Sequence, residues 1–212
     1  MTPEQSKQLE QINKAHETMS KLTFDYWQTY SHMGTWQFWF LLAMLLLPLA
    51  ALFILLDRKR ALLIGFFGFN VHVWFQYIDT LGVTRGLWNY PYKIVPVLPS
   101  SVALDTSFVP VVFMLLYQWT INRKKNFYLF GIGLCFVFSF LVKPALVSFG
   151  LIQMYKGVNF FHFFLLYIAI MLVSKWITSL FLHFQIEAGK QPSPSRRSFK
   201  LRRWFPAGEK AR

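Results

Sequence analysis

From Trp36 to Leu56 the chain runs without a charged residue, and it then meets Asp57-Arg58-Lys59-Arg60. A helix rises about 1.5 Å per residue, so such a run crosses a hydrocarbon layer roughly 30 Å thick. Backbone in hydrocarbon must pair its own N–H and C=O groups, which restricts a run like this to helix. Apolar runs of similar length recur at 61–78, 102–121, 126–149 and 159–181, the last three each holding a single charged residue. Composition agrees: 55% of the 212 residues are hydrophobic and only 15% are charged, too few charges to cover a soluble domain. The expected class is all-α, a polytopic membrane helix bundle of five transmembrane spans (34–183) plus an N-terminal amphipathic helix.

That helix is predicted within residues 1–33, in an extracytoplasmic or interfacial position. Thr2-Pro3-Glu4-Gln5 has the form of a capping box with proline at the first helical position. Leu9, Ile12, His16, Met19, Thr23, Tyr26 and Tyr30 then recur at three- and four-residue steps, giving one weakly apolar face. A short coiled-coil seam is the alternative use of that face, and it calls for cleaner apolar positions. So long a polar stretch before the first apolar run does not fit a cleavable signal peptide. Residues 184–212 form a basic, aromatic-bearing tail expected to be disordered in water and to lie against anionic lipid. Nucleic acid is disfavoured as its partner, because no nucleic-acid-binding fold accompanies the bases.

Lys and Arg number 22 against nine Asp and Glu, and their placement sets the expected orientation. The turns after spans one and three carry three bases each, Arg58-Lys59-Arg60 and Arg123-Lys124-Lys125. The connections after spans two and four carry only Arg85 with Lys93, and Lys156. The positive-inside rule then predicts an extracytoplasmic N-terminus and a cytoplasmic C-terminus.

The remaining polar residues sort by depth under that topology. On span two, His72, Gln76 and Asp79 follow at i, i+4 and i+7 and share one face. Asp105 enters span three, Lys143-Pro144 falls in the outer half of span four, and His162 begins span five. Each ionisable group alone in hydrocarbon costs a few kcal/mol, so mutual contact is expected, with Asp105–Lys143 or Asp79–Lys143 as the pair. Above them runs a loop rich in Pro and aromatic rings, in which Arg85, Trp88, Tyr90 and Tyr92 are the candidate lid. Three uses share these residues: a buried clamp that fixes helix register, a pocket for a lipid headgroup or small polar ligand, and a proton relay or catalytic centre. No cofactor or metal is expected, since metal-spaced His/Cys clusters, H-E-x-x-H and a phosphate-binding Gly loop are all missing from the sequence. Ser100, Ser101 and Ser107 lack a paired base, so no catalytic residue is assigned. The single Cys135 sits in an apolar run as a small core residue.

Tyr77-Ile78-Asp79, Gly82, Gly86-Leu87-Trp88, Tyr90-Pro91, Pro96, Pro99, Asp105, Pro110 and Met114-Leu115-Leu116-Tyr117-Gln118 carry a resemblance. With Arg58-Lys59-Arg60, Pro144, Gly150, Tyr167 and Lys175-Trp176, they are similar to an uncharacterised family of small multi-span membrane proteins of endospore-forming Gram-positive bacteria. The resemblance covers roughly 55–180 and implies a bacterial plasma or forespore membrane and a sporulation setting. It supplies no activity. The family pattern has an acidic residue before the fourth-span proline, so at Lys143 this chain either does not share the family's charge network or rewires it. A fainter likeness joins the loop to membrane-embedded carotenoid cyclases, which carry paired glutamates after the proline where this chain has Ser100-Ser101.

The expected function is therefore a non-enzymatic interaction or structural component of the envelope, with membrane lipids, other proteins or a second copy as partners. The alternative is a membrane-embedded enzyme or binder acting on an isoprenoid or other lipid. A small transporter fits less well, because five spans do not divide into inverted repeats.

Overall fold

The computed structural model describes residues 1–190. Helix α1 (Pro3–Tyr30) begins with the predicted capping box, in which Thr2 accepts from Gln5 N–H and the Gln5 side chain accepts from Thr2 N–H. Five helices or helix runs are long and apolar enough to cross a membrane: Trp36–Leu55, Arg58–Thr84, Ala103–Asn122, Phe127–Ser148 and Phe160–Glu187. We name α2 (Trp36–Leu55), α3 (Ala61–Thr84), α4 (Val109–Asn122), α5 (Phe127–Val137), α6 (Lys143–Ser148) and α7 (Phe160–Lys190). This is the expected five-span membrane protein with its extra N-terminal helix.

The chain divides into two units, Met1–Thr178 and Ser179–Arg212. The first holds the bundle core and the candidate site. Of the second, the described residues are helical to Lys190, past the expected boundary at 183, and the His183 ring lies 3.1 Å from Glu187 one turn on. The basic and aromatic positions expected to meet anionic lipid, Arg196 to Arg212, lie outside the described residues.

Two spans contain a widened turn, and in both a proline explains it. Ala103–Phe108 and Phe138–Val142 wind as π-helix, with Val109 N–H donating to Leu104 C=O and Lys143 N–H to Phe138 C=O. Pro110 and Pro144 come next in sequence. A proline lacks the N–H and crowds the preceding turn, and a π-turn relieves the crowding while keeping the helix running. Asp105 rides on the first widened turn and Lys143 closes the second.

Helix ends are equally legible. After α3, Leu87 N–H donates to Gly82 C=O and Gly86 N–H to Val83 C=O, with Gly86 at φ 64°. This is a Schellman motif, and Gly86 supplies the left-handed residue it needs. The same bond pair ends α6 at Gly150 and α4 at Lys124. Helix α3 thus continues to Thr84, beyond the expected end at 78, and Asp79 and Gly82 are helical.

These ends gather on two faces. On the loop face, Trp88–Asn89 (β1) pairs antiparallel with Gln153–Met154 (β2), and Tyr155 N–H donates to Leu87 C=O at 2.8 Å. Trp27 Nε1 donates to Lys93 C=O, and Lys93 N–H donates to Ser31 Oγ, each at 2.8 Å, so the end of α1 is tied to the same loop. On the opposite, basic face, Gln118 bridges span one to span three. Its Nε2 donates to Leu55 C=O and its Oε1 accepts from Asp57 N–H, both at 2.8 Å. Gln118→Leu is therefore expected to cost about 1–3 kcal/mol, since it leaves two backbone groups unpaired. Chemical denaturation in detergent, with Gln118→Glu as the size-matched control, measures that loss.

On α3, Gly68 lets span three approach closely. A Cβ there would overlap Met114, whereas Gly65 faces open space.

The candidate polar site

The α3 stripe behaves as one unit. His72, Gln76 and Asp79 all turn toward the loop and span three, each with its own partner.

His72 Nδ1 lies 2.7 Å from the Asp105 backbone carbonyl. The π-turn pattern would pair that carbonyl with residue 110, which is proline and has no N–H. His72 fills the vacancy, and because a carbonyl only accepts, Nδ1 carries the hydrogen. Gln76 Nε2 donates to Ser100 Oγ at 2.5 Å and to Thr80 Oγ1 at 3.2 Å, pinning the end of the loop.

Asp79, 3% exposed, is the anchor of the lid. Its Oδ1 accepts from Trp88 Nε1 at 2.8 Å and from Tyr90 Oη at 2.6 Å. Both rings are buried beneath the loop that carries them. Burial, and next the neighbouring Asp79 carboxylate, push the Tyr90 phenol well above its ordinary range, so it stays a donor. Gly82, one turn beyond Asp79, lets the Trp88 indole lie against the helix, for a Cβ there would overlap the ring. Gly82→Ala is expected to displace Trp88 and cost about 1–3 kcal/mol. A red shift in the Trp88 contribution, obtained by subtracting the spectrum of a matched Trp88→Phe variant, reads the displacement, and an unmoved contribution contradicts it.

Asp105 and Lys143 complete the centre, and both are essentially inaccessible. The Asp105 carboxylate faces Asp79, Ser100 and Lys143. Among the described residues neither of its oxygens has a well-formed hydrogen bond, nor does Asp79 Oδ2 or Lys143 Nζ. Instead Nζ sits 4.4 Å from the Phe163 ring centroid and 5.7 Å from that of Tyr90, a cation–π seat. The expected Asp105–Lys143 or Asp79–Lys143 contact pair is thus not formed. The ion pairs among the described residues are Lys14–Glu10 and His183–Glu187. The geometric reason is local: Pro144 and the preceding π-turn fix where Lys143 leaves span four, and the aromatic rings of Phe163 and Tyr90 stand beside its head.

The chamber is nearly full. A small cavity lined by Asp79, Trp88, Lys143, Phe163 and Tyr167 has room for about one water. It offers polar partners to such a water, but no space for a headgroup.

Other candidates lie elsewhere. His162 is exposed, and its Nδ1 accepts from Asn159 N–H at the start of α7. It precedes Phe163, which faces inward, so His162 points roughly 100° away. Arg85 is exposed as well; its carbonyl accepts from Lys156 Nζ, and its side chain is not part of the lid. Tyr92 is half-buried against the core. Two residues not named as site candidates from sequence are Phe163 and Tyr167. They belong to the inward stripe Phe163, Tyr167, Ile170, Ser174 and Thr178, whose three- and four-residue spacing marks one helix face.

No protein-family model, curated protein or solved structure matches this chain.

Proposed function

We propose that this integral membrane protein is a non-enzymatic interaction or structural component of a bacterial, sporulation-related envelope, whose polar centre clamps the 85–101 loop onto the bundle. The observation that carries the reading is the closure of the centre. Two carboxylates and an ammonium are buried under rings that hydrogen-bond to one of them, with space for about one water. A clamp gives the loop face a fixed shape, which is what a docking partner needs.

Orientation belongs to the same reading. Arg60 Nη1 donates to Asn122 Oδ1 at 2.9 Å, which supports one shared face for the two basic turns. That face is taken as cytoplasmic and the loop face as extracytoplasmic. Cysteine labelling at position 195 that succeeds from outside intact cells overturns the orientation.

A membrane-embedded enzyme or binder acting on an isoprenoid or other lipid is the second reading. One observation favours it: among the described residues Asp79 Oδ2, both Asp105 oxygens and Lys143 Nζ are buried without a hydrogen bond. Mass spectrometry of protein extracted in native lipid separates the two. The clamp reading expects no molecule that is retained by the wild type and lost from both Asp79→Asn and Asp105→Asn. A defined molecule showing that behaviour sinks it.

A further inference from the structure

Opposite the loop face, the two basic turns leave their charges unanswered. Arg58, Lys59 and Arg60 follow span one, Arg123, Lys124 and Lys125 follow span three, and all six are exposed. Gln118 ties the first turn to α4 through Leu55 and Asp57, and Arg60 Nη1 donates to Asn122 Oδ1 at 2.9 Å, so the two clusters make one patch. Asp57 is the one acid in these turns, and its Oδ1 accepts from Lys59 N–H within its own turn. Among the described residues, the side chains of Arg58, Lys59, Arg123, Lys124 and Lys125 make no hydrogen bond and no ion pair. The loop face is built differently: there Lys93 Nζ donates to Leu98 C=O and Lys156 Nζ to Arg85 C=O. The patch also has a definite level. Phe53, Ile54 and Leu55 precede the first turn and Leu62 follows it, all exposed on membrane-spanning helices, so they face hydrocarbon. The cations between them lie within about one helical turn, roughly 5 Å, of the hydrocarbon edge. Trp119 and Tyr128, exposed on α4 and α5 beside the second turn, are ring types that settle among headgroups.

We propose that this patch is a binding site for anionic phospholipid headgroups, whose phosphates pair with Arg58, Lys59, Arg123, Lys124 and Lys125. The inference goes beyond the clamp and does not rest on it, since lid and patch lie at opposite ends of the spans. Level selects the lipid: a surface flanked by hydrocarbon-facing Leu55 and Leu62 is met by headgroups before anything in solution reaches it. Charge selects the anionic class. Six bases against one acid leave an excess that a zwitterionic headgroup, which carries its own cation, does not neutralise. The side-chain chemistry suits phosphate as well, because arginine presents a planar fork to two oxygens and lysine a compact point charge. Each Lys or Arg held beside an anionic leaflet strengthens binding about fivefold, so a patch of this size gives a clear preference. The patch is fixed in shape by the Gln118 and Asn122 bonds, so its cations are gathered before a lipid arrives.

The test uses the full-length protein in nanodiscs of equal phosphatidylglycerol and phosphatidylcholine with matched chains, one lipid at a time carrying a photoactivatable group in its headgroup. Peptide mapping is expected to find the phosphatidylglycerol probe on residues 53–62 and 119–128 about tenfold more often than the phosphatidylcholine probe. Arg123→Gln, Lys124→Asn and Lys125→Gln together are expected to cut that ratio at least fivefold; asparagine is chosen because Lys124 has φ 51°, which it tolerates. The charge-keeping set Arg123→Lys, Lys124→Arg and Lys125→Arg is expected to retain the ratio, which separates lost charge from lost fold. Lys7→Gln, Lys14→Gln and Lys21→Gln remove the same charge from exposed positions on α1 and are expected to leave the ratio unchanged. Equal labelling by the two probes overturns the proposal. So does a ratio that falls as far in the α1 variant, which would make net charge the cause. An excess confined to residues 191–212 places the headgroups on the tail instead, and turns that neither probe labels belong to a protein partner; either result also overturns it.

Discussion

Asp79→Leu is expected to cost about 3–5 kcal/mol of stability, the largest single effect in the loop region. Two buried donors, Trp88 Nε1 and Tyr90 Oη, converge on one oxygen, Oδ1. Leucine leaves both unpaired beneath the loop, where they are buried. Bonds to a charged acceptor contribute about 1.5–3 kcal/mol each, and buried donors left alone cost about 1–3 kcal/mol each. Asp79→Asn keeps an acceptor at Oδ1 and removes the charge, so its loss is expected to be less than half as large. Tyr90→Phe removes one donor and leaves the other bond in place, with an expected cost of about 1–3 kcal/mol. Thermal and chemical unfolding in one detergent rank the three variants. Limited proteolysis of the 85–101 loop gives an independent reading, because a released lid is cut before the bundle unfolds. If Asp79→Leu unfolds within about 1 kcal/mol of wild type, the lid is not anchored by this carboxylate.

The spans were legible because hydrocarbon imposes a length and a polarity that side chains cannot conceal. The α1 cap was legible for a similar reason, since Thr2, Pro3 and Gln5 each have one strong use at a helix start. Level along the bundle was readable too. Asp79, Asp105 and Lys143 come from three spans and lie near one another without forming a contact ion pair, because counting residues from each span end places them at one level. Azimuth was less readable. His162 has the right depth and the wrong face, since one residue of rotation separates it from Phe163. The π-turns rotate everything that follows them, and no residue count from a span end anticipates that turn. Gly82 shows the same limit from another side. It lies beyond the expected span end at 78 yet is helical, where it makes room for Trp88, and Gly86 ends the helix.

Lys143→Met is the complementary experiment, and it asks whether charges that do not touch still hold one another. The variant removes the cation facing two buried carboxyl groups and keeps the bulk of the side chain, with an expected cost of about 3–5 kcal/mol. Asp79 has two donors of its own, whereas the Asp105 oxygens have no well-formed hydrogen bond among the described residues, so Asp105 depends on Lys143 more heavily. Lys143→Met with Asp105→Asn is therefore expected to recover part of the loss, with a coupling energy of about 1–3 kcal/mol. Lys143→Met with Asp79→Asn is expected to recover less, because that second change also weakens the lid. Strictly additive losses in both cycles would mean that the ammonium is held by the Phe163 and Tyr90 rings alone. A larger coupling to Asp79 would reverse the order argued from the hydrogen bonds and make Asp79 the counter-ion. Lys143→Arg tests the seat itself, for a planar guanidinium can stack on Phe163 but reaches further and needs more room than a cavity for about one water provides. It is expected to restore the charge and still unfold earlier than wild type, which would place the requirement on shape as well as on sign.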